Sequence, residues 1–245
     1  EDALKRFTLA VAVTLLAAGA VHADALSDCA QNRNAPLKLR ACGDIIVRPE
    51  FSPEDKARAY RTRGILRIDA GAAAQALADF DQALKLAPGD AQSFAGRAKA
   101  RVVLGQHAAA LADYDEAIRL QPDNTAHLLG RGHVHFLRGN AQSAVADFTQ
   151  VLRLNPRSAS ALNQRGLAYR RSGDLTRAIE DYTAAIAINP VYALAYNNRG
   201  YAYESLGRRD DAVADFKAAL MLDASLIGAR DGLARLGAAG NALAE

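Results

Sequence analysis

The chain has 245 residues, half of them hydrophobic, so there is enough apolar material for a sizeable core. Its 30 basic and 27 acidic residues leave a net charge of only +3, too small to imply a nucleic-acid partner, and the two signs are interspersed rather than gathered in blocks. There is no Trp and aromatic content is 6%; alanine is abundant instead, which favours helix and close helix packing.

Lys5 and Arg6 open the chain with a short basic region. An apolar run from Phe7 to Ala20 follows, then Val21-His22-Ala23. This reads as a secretory signal over 1–23, cleaved before Asp24. The run falls short of the roughly 20 residues of a membrane span. An uncleaved anchor is the competing reading, and no later stretch is apolar enough to cross a bilayer. Export to a periplasm or beyond makes a disulfide the default for Cys29 and Cys42. Ser27 and Asp28 are a poor lipoprotein signal ahead of Cys29. Two thiols without a nearby His cannot fill a tetrahedral metal site. The spacing also lacks a Cys-x-x-Cys redox arrangement.

From residue 57 the sequence repeats in units beginning at 57, 91, 125, 159 and 193, a constant step of 34. Position 15 of each unit is Gly (Gly71, Gly105, Gly139, Gly173, Gly207). Position 20 is Ala (Ala76, Ala110, Ala144, Ala178, Ala212), and position 24 is aromatic (Phe80, Tyr114, Phe148, Tyr182, Phe216). Position 8 is small: Gly64, Ala98, Gly132, Gly166, Gly200. Pro88, Pro122, Pro156 and Pro190 stand at position 32, where the fifth unit has Ala224. A Gly at position 15 suits the left-handed residue that ends a first helix. A Pro at position 32 ends a second, because it lacks the donor and restricts the residue before it. Each unit is therefore expected to be two helices of about 14 residues joined by a short turn. Small residues at 8 and 20 let the pair approach closely, and Ile179, Ile186 and Ile188 exemplify the apolar stripe of the second helix.

These residues resemble the tetratricopeptide repeat family over 57–224. The resemblance implies an all-α, right-handed α-solenoid of helix-turn-helix repeats (57–90, 91–124, 125–158, 159–192, 193–224). It also implies that positions 2, 5, 9 and 12 of each first helix line a concave peptide-binding groove. Here those positions include Arg58, Arg61, Ile65, Ile68, Lys99, Leu129, His133, Phe136, Asn163, Arg170, Asn197, Tyr201 and Glu204. Asn163 and Asn197, one repeat apart, look like the asparagines that some members use to hold a peptide backbone. Position 11, commonly Tyr in the family, is Arg67, Arg101 and His135 in the first three units.

A polar ladder runs alongside. Position 7 is always Arg (Arg63, Arg97, Arg131, Arg165, Arg199) and position 23 always Asp (Asp79, Asp113, Asp147, Asp181, Asp215). An anion-binding basic groove is one reading. Matched opposite charges at one period favour the other, in which Arg–Asp pairs join neighbouring helices. A solenoid needs caps. Ser225 to Leu236 is expected to form a capping helix, with a loose tail to 245. Residues 24–46 read as a short helical hairpin, with 49–53 joining it to the first repeat. On the repeat frame Cys29 and Cys42 fall at positions 7 and 20, which face each other, so a disulfide would staple that hairpin.

Nothing points to catalysis or a cofactor. His127, His133 and His135 lack the three- or four-residue spacing of a helical metal site. The glycines sit singly on the ladder, with no phosphate loop and no nucleophile elbow. The reading is a monomeric, non-catalytic scaffold of the cell envelope. It binds a protein or peptide segment carrying acidic residues opposite Arg58 and Arg61. An envelope small-ligand or glycan-binding protein is the alternative, and end-to-end self-assembly a further one.

Overall fold

The computed structural model describes residues 24–31 and 33–237; among these the ordered elements are all helices. The expected signal, 1–23, and the tail after 237 lie outside the described residues. No helix among the described residues is long and apolar enough to cross a membrane. The chain divides into two compact units, one ending at Pro122 and the other beginning at Asp123. The first holds α1 (24–31), α2 (Ala35–Val47), α3 (Pro53–Asp69), α4 (Ala73–Leu86), α5 (Ala91–Val103) and α6 (His107–Leu120). The second holds α7 (Thr125–Leu137), α8 (Ala141–Leu154), α9 (Ala159–Arg171), α10 (Leu175–Ile188), α11 (Ala193–Ser205), α12 (Arg209–Leu222) and α13 (Ile227–Arg235). Each helix packs against the next in its unit, and successive first helices also touch: α3 on α5, α7 on α9, α9 on α11 and α11 on α13. The architecture is an α-solenoid of helical hairpins.

Glycine at position 15 explains the turns. Gly71, Gly105, Gly139, Gly173 and Gly207 all have φ between 72° and 84°, the left-handed region that a Cβ penalises. Each closes the same pair of hydrogen bonds. In the first repeat Gly71 N donates to Ile68 O at 2.9 Å and Ala72 N to Arg67 O at 2.7 Å. This is the Schellman arrangement that satisfies the last carbonyls of a helix. The second helices stop at Leu86, Leu120, Leu154 and Ile188, two residues short of the prolines.

The spacing between hairpins is set by one aromatic ring per repeat. Phe80, Phe148, Tyr182 and Phe216 are almost completely buried, and the position-20 alanines are fully buried beside them. Each ring presses on a glycine of its own first helix: a Cβ on Gly64, Gly132, Gly166 or Gly200 would lie 2.7–2.9 Å from it. The next first helix closes from the other side, where a Cβ on Gly96 would come within 2.3 Å of Phe80 and one on Gly232 within 2.5 Å of Phe216. Gly232 belongs to α13. That helix starts at residue 227, one step of 34 after 193, so the C-terminal cap is a shortened first helix of the same series.

The front departs from the frame. α3 starts at Pro53, inside the expected join, because Ser52 caps it: its hydroxyl accepts from Asp55 N at 3.0 Å and donates to the Asp55 carboxylate at 2.6 Å. Proline at the first helical position adds to the start. Ahead of it, α1 and α2 are tied by the Cys29–Cys42 disulfide. With Ile45, Phe51 and Ala59 the two cysteines form a small buried core.

Two predictions follow the packing. Gly96→Ala gains helix propensity but drives a methyl into an immovable ring, so stability falls by about 1–3 kcal/mol. Gly43→Ala, where nothing lies within 4 Å, is neutral or stabilising in the same thermal melts. Replacing Cys29 and Cys42 by Ser costs about 2–3 kcal/mol at the front hairpin, read as faster amide exchange over 24–47 with α4 unchanged.

Candidate functional site

The Arg–Asp ladder is a set of forked ion pairs. Arg63 Nε and Nη2 donate to the Asp79 carboxylate at 3.0 and 2.6 Å. The same fork joins Arg97 to Asp113, Arg131 to Asp147, Arg165 to Asp181 and Arg199 to Asp215, with shortest contacts of 2.7 Å. All five aspartates are buried. The remaining guanidinium nitrogen reaches back to position 25 of the preceding repeat: Arg97 to Asp81 at 2.8 Å, Arg165 to Thr149 at 3.2 Å and Arg199 to Thr183 at 3.0 Å. Each such arginine thus joins both helices of its own hairpin and the hairpin before it. Burial disfavours the Arg97 charge, but the bonds to Asp113 and Asp81 outweigh it and raise its pKa. The bonds to Asp181 and Asp215 likewise raise those of Arg165 and Arg199. These cations are committed to structure.

On the first unit's exposed first-helix face stand Arg58, Ile65 (46% exposed) and Lys99. Among the described residues no carboxylate pairs with Arg58 or Lys99. Arg61, expected beside them as a ligand cation, is instead bonded to Asp90 at 2.7 Å, and Asp90 also caps α5. Ile68 packs into the Phe80 core.

In the second unit the expected residues occupy three kinds of place. His133 is exposed. Leu129 and Phe136 pack against the Phe148 core, with the Arg171 guanidinium 5.0 Å over the Phe136 ring and Arg171 Nη1 donating to Phe136 O at 3.0 Å. The two asparagines are buried, at 4% and 9% exposure. Asn163 Oδ1 accepts from Asn198 Nδ2 at 2.9 Å, whereas the Asn197 Oδ1 has no hydrogen bond and lies close to Gly228 of α13. Tyr201 donates to Gly228 O at 2.7 Å, and its ring meets Phe216 edge-on. Glu204 takes a forked contact from Arg235 of α13 at 2.8 and 3.0 Å. The last first-helix face is therefore largely occupied by the capping helix. Arg170 lies 5.7 Å over the Tyr201 ring. Burial pushes the Tyr182 hydroxyl up, with the nearby Arg170 guanidinium pulling the other way. Phe136, Leu167, Arg170 and Arg171 line an open pocket of about 340 Å³.

Models of the tetratricopeptide repeat match residues 61–125 and 95–159, and further models of the repeat match 166–207 and 193–225. The chain belongs to the tetratricopeptide repeat family. No curated protein sequence matches it. Among solved structures it is similar to MamA at 28% identity and a TM-score of 0.59, covering 65% of this chain and 94% of that one. It is similar also to YrrB, described as a TPR protein with an unusual peptide-binding site, at 23% identity and a TM-score of 0.58, covering 71% and 90%. A chain of the APC/C hetero-tetramer Cut9–Hcn1 superposes with a TM-score of 0.68 at 22% identity, over 85% of this chain and 45% of that chain. The repeats make this chain a protein-interaction scaffold.

Within the tetratricopeptide frame, position 11 now has an explanation. In the first unit Arg67 and Arg101 add a second guanidinium to Asp79 and Asp113, each at 2.7 Å. In the fourth and fifth repeats the position reverts to Tyr169 and Tyr203, whose rings carry Arg177 and Arg208 at 4.4 Å. Sequence reading missed Asn198 and Arg171, which stand at positions 6 and 13, outside the groove series. It also missed Leu167, at position 9 within that series.

Asp113→Ala removes the buried anion shared by two half-buried guanidiniums, leaving Arg97 only the more exposed Asp81 and Arg101 no carboxylate. It is expected to destabilise the chain by about 3–5 kcal/mol in urea unfolding. Asp211→Ala, which breaks the exposed Arg208–Asp211 pair, changes stability by no more than about 0.5 kcal/mol.

Proposed function

We propose that the chain is a non-catalytic adaptor of the cell envelope that binds a segment of another protein across the faces of its first helices. One observation carries the reading: the side chains that the repeat locks into structure and those it leaves free fall on different positions. Positions 7, 8, 20, 23 and 24 are consumed by pairing and packing. At positions 2 and 9, by contrast, Arg58, Ile65, Lys99 and Leu194 stand exposed. A mixed cationic and apolar face of this kind fits an amphipathic or extended peptide with acidic residues. That YrrB is described as having a peptide-binding site supports the class of ligand. The front disulfide is compatible with export. A glycan site needs a closed, aromatic-lined cavity, and the pocket at Phe136 is open with a single aromatic ring.

The test is a pull-down from envelope extract with the wild type and with Arg58→Glu combined with Lys99→Glu. Both residues are exposed, so the variant is expected to melt like the wild type. Partner recovery should fall at least roughly tenfold, the loss expected for reversing two interface charges. Equal recovery by a folded variant removes the first unit's face as the binding surface.

A further inference from the structure

Within the second unit, arginines withdrawn from solvent come with aspartates. Arg131, Arg165 and Arg199 are each half-buried and each holds a forked carboxylate. Arg170 is half-buried too, yet it makes no ion pair among the described residues. Its Nε is buried without a hydrogen bond, and what meets its charge is neutral: the face of Tyr201 and the nearby Tyr182 hydroxyl. A cation–π contact is weaker compensation for a desolvated guanidinium than a forked carboxylate. The adjacent Arg171 likewise makes no ion pair among the described residues: one of its nitrogens bonds a backbone carbonyl while the cation covers Phe136. Two adjacent guanidiniums without an anion therefore border one open pocket whose other walls, Phe136 and Leu167, are apolar.

We propose that this pocket is the specificity subsite of the groove for an Asp or Glu side chain of the bound segment, with an apolar neighbour of that residue seated on Phe136 and Leu167. The inference rests on the groove reading and refines it by moving acid recognition from Arg61, which is bonded to Asp90, to Arg170 and Arg171. A pocket of about 340 Å³ lies at the small end for a complete small ligand and suits one or two peptide side chains. Carboxylate is the anion that completes the pattern set by the three other half-buried arginines of the unit. The position is selective because Arg170 is pre-oriented by Tyr201 and loses little rotamer freedom on binding.

The test uses the full chain, immobilised, and a random peptide display library. The selected peptides are synthesised in pairs, each acidic residue replaced by its amide (Glu→Gln, Asp→Asn). Acidic residues beside an apolar one should be enriched, and amide replacement should weaken binding roughly tenfold or more. Arg170→Gln should shrink that difference to a few-fold, and Arg171→Gln, at an exposed site that leaves the core untouched, should do so as well. Selection of no peptide overturns both the groove reading and this one. Peptides without an acidic preference, or with a preference that survives both substitutions, overturn this inference and leave the groove standing. Displacement of the acidic peptides by inorganic phosphate at equal concentration also overturns it, reassigning the pocket to free anions.

Discussion

A guanidinium that holds the two helices of one hairpin together and touches the hairpin before it is the contact on which the repeat depends. Removing carboxylates from water is costly, and a lone buried aspartate would be a defect. Here every buried position-23 aspartate meets a forked arginine, so the cost is offset and the geometry becomes demanding: two parallel bonds fix both the distance and the rotation of one helix against its partner. The third nitrogen, reaching Asp81, Thr149 or Thr183, extends the constraint to the preceding hairpin. Such pairs add less stability than apolar residues of equal volume could. What they supply is register, because a slipped helix would strand charges in the core.

The aromatic clasp works on the same axis by shape instead of charge. With glycines above and below Phe80 and Phe216, the rings fit between first helices that approach more closely than a methyl allows. Interiors packed to this density respond to single atoms. The clasp also accounts for α13: a helix that brings Gly232 onto Phe216 must enter at the repeat's own phase. The cap is therefore recruited by the same contact that joins the repeats, and Arg235 and the Tyr201 bond to Gly228 O then hold it.

Much of this was legible because it recurs. The glycine turns, the aromatic, the ladder and the disulfide pairing each appear as one residue type at one position, or fall on the same frame. What occurs once was not legible. Arg61 reads as a groove cation until Asp90, itself the cap of α5, is seen beside it. Asn163 and Asn197 read as solvent-facing amides, yet Asn198 and Gly228 enclose them. The back-reach of the ladder was hidden because position 25 varies between Asp and Thr, two acceptors that share chemistry but not identity. Position 11 was read as a departure, when an arginine there doubles the cation on the same aspartate.

The division between committed and uncommitted charge carries the functional argument further than family likeness does. Within the second unit the half-buried arginines Arg131, Arg165 and Arg199 each hold a carboxylate of the chain, which sets Arg170, half-buried without one, apart from them. On the first unit's first-helix faces, Arg58 and Lys99 are exposed, so they can steer an acidic segment but discriminate weakly because water competes. In the second unit Arg170 is different in kind. It is partly desolvated, held over an aromatic ring, and adjacent to an apolar wall, so an anion placed there gains more than one placed at the surface. Strength of attraction and selectivity are thus distributed unequally along the chain, with the sharper recognition carried by the residue that the repeat pattern alone gave no reason to separate from its neighbours.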